Sequence, residues 1–204
     1  MKILNLYAGI GGNRKLWGNE HEITVVEIDE KIANVYKKYY PEDNVIIGDA
    51  HKYLLENYMN YDFIWSSPPC PSHSDIRRCG VHRGQCVAIY PEMELYQEII
   101  LLKNFFKGKF VVENVKPYYK PLISPDYVGD RHLFWCNFFI TEFVKSEHRI
   151  HSDIVGSSTV YGFNIKNTNI KNKRKTLRNL VDPELGLHIL KCAERDLQEQ
   201  IKLF

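Results

Sequence analysis

A chain of 204 residues with 44% hydrophobic and 25% charged residues can build one folded domain with a small appendage, which excludes a mainly disordered chain. A net charge of +2 excludes an overall basic footprint, although basic residues can still cluster on one face. Cys70, Cys79, Cys86, Cys136 and Cys192 are odd in number and irregularly spaced, which argues against a disulfide framework. The opening residues carry no secretory pattern and no segment reaches membrane-spanning length. A soluble protein of a reducing compartment is therefore expected, with no membrane partner and with thiols free for chemistry.

In chain order, Lys2 to Tyr7 reads as a buried strand, Glu22 to Ile28 as a second and Val45 to Ile47 as a third. Asp62 to Ser66 and Lys109 to Glu113 follow as the fourth and fifth. Helical patterns lie between them, over Glu30 to Tyr39, His51 to Tyr58 and Glu92 to Phe106. Continuous apolar strands alternating with helices predict an α/β fold with a doubly wound, mostly parallel sheet. Leu133 to Phe143 is aromatic and β-prone, and is expected to add one or two late strands. From Thr141 to Lys175 no period is clear, and Lys plus Arg exceed Asp plus Glu by roughly four. Asp182-Pro183-Glu184 then marks a helix start, with Asp as cap, Pro in the first position and Glu in the first turn.

The first strand runs into Tyr7-Ala8-Gly9-Ile10-Gly11-Gly12. Such a turn is either a plain tight turn or a loop that lets backbone approach a ligand closely. It matches neither the dinucleotide fingerprint nor a P-loop. Glu27 ends the second strand and Asp49 follows the third. Either could be a loop carboxylate facing water. Together, at consecutive strand ends beside a glycine turn, they point to an adenosine-type ligand, with Glu27 on the ribose hydroxyls and Asp49 on the adenine amino group.

The fourth strand ends in Ser66-Ser67-Pro68-Pro69-Cys70-Pro71, and the fifth in Glu113-Asn114-Val115. Prolines stiffen the first of these loops. Cys70 could be a buried structural thiol and Glu113 a capping carboxylate. If the two strands are neighbours, both face one crevice, where a thiolate can attack carbon and a carboxyl group can share a proton with the substrate. His73, Cys79, His82 and Cys86 lack the paired spacing of a zinc site, and no metal is expected. Pro71 to Gln85 reads as an exposed polar loop or as a mobile loop closing over a polyanion. It carries Ser72, Arg77, Arg78, His82 and Arg83 for phosphate contact, and Gly80 and Gly84 to allow motion.

These motifs, in this order, resemble those of the DNA cytosine-C5 methyltransferase family. Tyr7 to Gly12 resembles its cofactor loop, Val26-Glu27-Ile28-Asp29 its ribose-binding segment and Gly48-Asp49-Ala50 its adenine-binding segment. Pro69-Cys70 resembles its nucleophile, and Glu113-Asn114-Val115 its tripeptide at the substrate base. Arg178-Asn179-Leu180-Val181 resembles the segment that returns beside the cofactor. There are departures. Pro71 stands where the family has Gln, Arg178 where it has Gly, and Arg131-His132 where it has an Arg-x-Arg pair.

The resemblance implies a small, phage-type member with an S-adenosylmethionine-dependent methyltransferase fold. Residues 1–140 and 176–204 would form the catalytic domain and residues 141–175 a reduced target-recognition region. The implied cofactor is S-adenosylmethionine, held by Tyr7, Ala8, Gly9, Gly11, Gly12, Glu27, Ile28, Asp49, Ala50, Pro69, Asn179 and Val181. The implied partner is double-stranded DNA with its target cytosine flipped out of the stack. Cys70 would add to C6, Glu113 would hold N3 and the exocyclic amine, and Arg131 would steady O2, with Asn114 beside them. The activated C5 would then take the methyl group, after which a base removes the C5 proton and the thiol leaves.

DNA contact would involve Ser72, Arg77, Arg78, Arg83, Arg149, Lys173 and Arg174. His148, Arg149, His151, Asn164, Asn167 and Asn169 would reach groove edges, and Lys171 to Lys175 would meet phosphates or form a solvated run. A monomer is expected, in the cytoplasm, or in a host's cytoplasm if phage-encoded. Restriction protection, regulation and phage self-marking all fit. The alternatives are a transfer-RNA cytosine methyltransferase and a catalytically silent DNA-binding or regulatory module.

Overall fold

Central strands with apolar residues at successive positions need cover on both faces. In the computed structural model, which describes residues 1–144 and 159–201, helices supply it. The main sheet contains β1 Lys2–Leu6, β2 Glu22–Glu27, β3 Asn44–Ile47, β4 Phe63–Ser66, β5 Lys109–Val115, β6 Tyr127–Val128 and β7 His132–Cys136. Their order is β3-β2-β1-β4-β5-β7-β6. The sheet is parallel from β3 through β5, and β7 and β6 then pair antiparallel. This is the doubly wound, mostly parallel sheet that the strand–helix alternation predicts.

The helices are α1 Glu30–Tyr39, α2 Ala50–Asn57, α3 Asp75–His82, α4 Glu94–Phe105, α5 Lys173–Arg178 and α6 Pro183–Ile201. Successive side chains of a strand point to opposite faces. Ile3, Val25, Phe63, Trp65, Val111 and Phe134 accordingly pack with Tyr36 of α1 and Ile189, Leu190 and Ala193 of α6. Leu4, Leu6, Val26, Ile64, Phe110, Val112 and Trp135 pack with Leu54 of α2 and Leu95, Ile99 and Leu102 of α4. The C-terminal segment returns to β1 as expected. A Cβ on Gly12 would lie 2.7 Å from the carbonyl oxygen of Val181, so only glycine allows this approach. The start of α6 also follows the sequence reading, with the Asp182 carboxylate accepting from the Glu184 N–H at 3.0 Å.

Several details differ from the sequence reading. The segment read as a loop from Pro71 to Gln85 contains α3. Asp75 sits favourably in its first turn, and Gly84, with φ 66, ends it in the left-handed conformation that follows many helices. Gly80 therefore lies inside a helix instead of serving as a hinge. The aromatic run after Leu133 stays in the sheet only to Cys136. Phe138 and Ile140 leave it to pack in the layer that holds α6, which accounts for their strand-like apolar character. β6 was not foreseen, being only two residues long and outside the aromatic run.

The aperiodic region after Val160 is not featureless. β8 Thr159–Val160 and β9 Phe163–Asn164 form a hairpin whose turn residues, Tyr161 and Gly162, both have positive φ, as a primed two-residue turn requires. Phe163, Ile165 and Ile170 pack with Ile10, with Val35 of α1 and with Leu177 of α5. The hydroxyl of Tyr39 accepts from the Asn164 N–H at 2.7 Å and donates to its carbonyl at 3.1 Å. Of the described residues, no helix is long and apolar enough to cross a membrane.

One buried pair has no sequence signature. The Arg14 guanidinium meets the Asp43 carboxylate through two nitrogens, at 2.9 and 3.0 Å, and the Tyr36 hydroxyl donates to the same carboxylate at 2.7 Å. Both ionised groups are nearly inaccessible, so losing one partner strands the other charge away from water. Asp43→Ala is expected to cost about 3–5 kcal/mol in denaturant unfolding. Unchanged stability in that variant would contradict the buried-pair assignment.

Candidate active site

The loops at the carboxyl ends of parallel strands are where an open α/β sheet binds ligands. The loops after β1, β2, β4 and β5 line a cleft of about 390 Å³, closed on one side by the segment around α5. Because β7 is antiparallel to β5, with His132 opposite Val115, the start of β7 also reaches this end of the sheet.

The glycine loop is fixed from below and from the side. Asn5 on β1 and Asn13 exchange side-chain amide hydrogen bonds of 3.3 and 2.9 Å, both residues buried. Glu27 closes the other side. Its Oε2 accepts the Gly9 N–H at 2.9 Å and its Oε1 accepts the Asp29 N–H at 3.0 Å. Burial pushes the Glu27 carboxyl above its usual range, and these two amide donors oppose the shift. Each carboxylate oxygen can accept two hydrogen bonds, so Glu27 keeps acceptor capacity on the cleft it lines.

Cys70 is half-buried at the end of Ser67-Pro68-Pro69. Its carbonyl accepts from the N–H groups of His73 and Ser74, both at 3.0 Å. The Asn114 side chain donates to the Pro68 carbonyl at 2.9 Å and accepts from the Val115 N–H at 2.9 Å. Both of these bonds reach backbone, so Asn114 acts as a brace joining the end of β5 to the loop that carries Cys70. Glu113 is 7% exposed, with Oε1 3.4 Å from His132 Nε2. Burial, and then the neighbouring Glu113 carboxylate, push the Cys70 thiol above its usual range. Its own backbone N–H and the cations Lys175 and Arg178 pull it back.

Among the residues expected from sequence, Tyr7, Ala8, Gly9, Gly12, Glu27, Pro69, Cys70, Glu113, Asn114, Arg131, Asn179 and Val181 all line this one cleft. Gly11 does not, since its carbonyl faces away and accepts from the Tyr40 hydroxyl at 2.9 Å. Ile28 is 70% exposed outside the lining, and Ala50 is buried as the first residue of α2. Asp49 is the cap of α2, accepting from the Lys52 N–H at 3.0 Å, and is likewise not part of the cleft wall.

The expected DNA contacts lie elsewhere. Ser72 accepts from the Glu92 N–H, and Arg77 and Arg78 donate to the carbonyls of Val87 and Tyr118. Arg83 is the exposed C-cap of α3, Lys173 donates to the Lys166 carbonyl, and Arg174 is exposed on α5. His148, Arg149 and His151 fall outside the described residues. Of the described residues, no group of three or more His, Cys, Asp or Glu is placed to hold a metal ion.

The cleft also contains residues that the sequence reading did not place in it. His132 was seen only as the neighbour of Arg131, and its pairing with Glu113 needs the antiparallel register of β7. Lys175 and Arg178 act on the Cys70 thiol because the segment around α5 lines the same cleft. The Asn5–Asn13 pair had no sequence signal at all.

The family profile for C-5 cytosine-specific DNA methylases matches residues 1–121. No curated protein matches the chain. Solved structures that it resembles include a DNMT2 mutant from Spodoptera frugiperda, at 28% identity and a TM-score of 0.40, covering 56% of this chain and 35% of that one. An S-adenosylmethionine-dependent methyltransferase from Agrobacterium tumefaciens is 18% identical with a TM-score of 0.42, covering 59% of this chain and 40% of that one. The chain thus spans about a third of the length of the first of these.

Proposed function

Because the chain belongs to the C-5 cytosine-specific DNA methylase family, we propose that it methylates C5 of cytosine in double-stranded DNA with Cys70 as covalent nucleophile. Methyl transfer from S-adenosylmethionine is the family's chemistry, and the cleft fits that cofactor. Glu27 retains acceptor positions for ribose hydroxyls, and its hold on the Gly9 and Asp29 amides keeps the loop open beside it. Ile10, Ile32 and Val181 give apolar wall. When bound, S-adenosylmethionine supplies an electrophilic methyl group.

The observation that carries this reading is the placement of Cys70, Glu113 and Arg131 in the same cleft as Glu27 and Gly9. The Cys70 thiolate adds to C6 of the flipped base, which places electron density on C5. Glu113 holds N3 and the exocyclic amine and passes a proton to the ring as the density builds. Arg131 faces O2, and His132 orients the Glu113 carboxyl. Asn114 keeps Cys70 in register through Pro68. After C5 is methylated, loss of its proton expels the thiol and restores the aromatic ring.

Lys171, Lys175 and Arg178 at the mouth suit the phosphates flanking the flipped nucleotide. Arg77, Arg78, Arg83, Lys173 and Arg174 would extend that contact along the duplex. Residues 1–140 and 176–204 serve as the catalytic domain and residues 141–175 as a reduced target-recognition region, the protein acting as a monomer. Incubation with tritiated S-adenosylmethionine and either duplex DNA or transfer RNA tests the substrate. Label is expected in DNA. Label confined to RNA would overturn the DNA assignment and leave the cytosine chemistry standing.

A further inference from the structure

Glu98, in α4, has no solvent exposure and is not part of the cleft wall. Its Oε1 accepts from the Tyr7 hydroxyl at 2.7 Å and its Oε2 from the Ser66 hydroxyl at 2.6 Å. His51 Nδ1, in the first turn of α2, stands 3.1 Å from Oε1. A buried carboxylate without donors would be strongly destabilising, and this one has three.

The partners stand at strategic points. Tyr7 leads into the glycine loop and holds φ 54, a left-handed backbone that a tyrosine rarely adopts unless its surroundings impose it. Ser66 is the last residue of β4, directly ahead of Ser67-Pro68-Pro69-Cys70. Burial, and then the Glu98 carboxylate, push the Tyr7 hydroxyl above its usual range, which favours it as the donor to Glu98.

We infer that Glu98 is a positioning residue that couples the cofactor loop to the nucleophile loop, so that a change in either loop is felt at the other. This rests on the assignment of Cys70 above and deepens it. Glutamine at this position keeps one acceptor oxygen and turns the other into a donor, so it cannot accept from both hydroxyls.

Two readouts need no methyl transfer: the affinity for S-adenosylhomocysteine by calorimetry, and the rate of Cys70 alkylation by iodoacetamide without ligand. Ser66→Ala is expected to weaken S-adenosylhomocysteine binding at least about threefold, although Ser66 does not line the cleft. Tyr7→Phe is expected to change the Cys70 alkylation rate by a similar factor. In a Glu98→Gln background neither substitution should add to the effect already present. Each of these variants removes or swaps a single polar atom, so the test survives if Glu98→Gln alone fails to fold. The inference is overturned if each loop substitution acts only on its own loop, as it would in a purely structural network. Cross-effects present in a protein that methylates no cytosine would instead sustain the coupling and defeat the proposed function.

Discussion

Cys70→Ser should reduce methyl transfer to cytosine on the order of 10⁴-fold or more, the scale on which enzymes lose rate when a covalent nucleophile is removed. Serine is nearly isosteric, and the Cys70 contacts that hold the loop run through its backbone carbonyl to His73 and Ser74. Folding and S-adenosylhomocysteine affinity should therefore stay close to those of the parent. The hydroxyl is far less acidic than a thiol, so serine is a far weaker nucleophile. Under the proposed mechanism the thiolate is the form that adds to C6. Burial and Glu113 hold the thiol high, so the rate of methyl transfer should climb as pH rises through that raised value. A serine variant retaining a tenth of the parent rate would contradict covalent catalysis.

Glu113→Gln should produce two opposite effects at once. Methyl transfer should fall about 10²–10⁴-fold, because glutamine cannot pass a proton to the ring. The thiol itself should become more reactive. Removing the carboxylate removes a charge that disfavours the Cys70 thiolate, so its pKa falls and iodoacetamide alkylation near neutral pH speeds up. Loss of catalysis through general disruption of the cleft would be expected to slow or scramble both. Parallel rate and alkylation measurements separate the two cases. Slower alkylation together with slower methylation would contradict the proximity of Glu113 to the thiol.

The fold was largely legible in the sequence because its signals are local and repeated. β1, β2, β4 and β5 are short apolar runs between periodic helices, and that alternation forces a parallel sheet with two covered faces. The placement of Glu27, Cys70 and Glu113 followed from the same rule, as each sits at a strand's carboxyl end. The misses have physical causes too. α3 was hidden because its eight residues include a glycine and two arginines, and none of them is buried. That one oxygen of Asp49 caps α2 is likewise not visible from its place after the third strand. The bond from the Tyr40 hydroxyl to the Gly11 carbonyl is equally invisible in the glycine motif itself.

Long-range polar partners were beyond reach for a different reason. Arg14 with Asp43, and Glu98 with Tyr7 and Ser66, are joined by topology, and no spacing within either segment signals the pairing. The same holds for Lys175, which the sequence offers as a phosphate contact or part of a solvated run, and for Arg178, which it marks only as a departure in the returning segment. Their place on the cleft wall goes with the packing of Leu177 of α5 in one cluster with Ile10 and Phe163.

The covalent bond itself is the most direct measurement. Duplex DNA containing 5-fluorocytosine, incubated with the protein and S-adenosylmethionine, should trap the enzyme, because the fluorine at C5 cannot leave as a proton does. Digestion and mass spectrometry of the trapped complex should find the nucleotide on the peptide that contains Cys70. No adduct, or an adduct at Cys79, Cys86, Cys136 or Cys192, would contradict the assignment of Cys70 as the nucleophile.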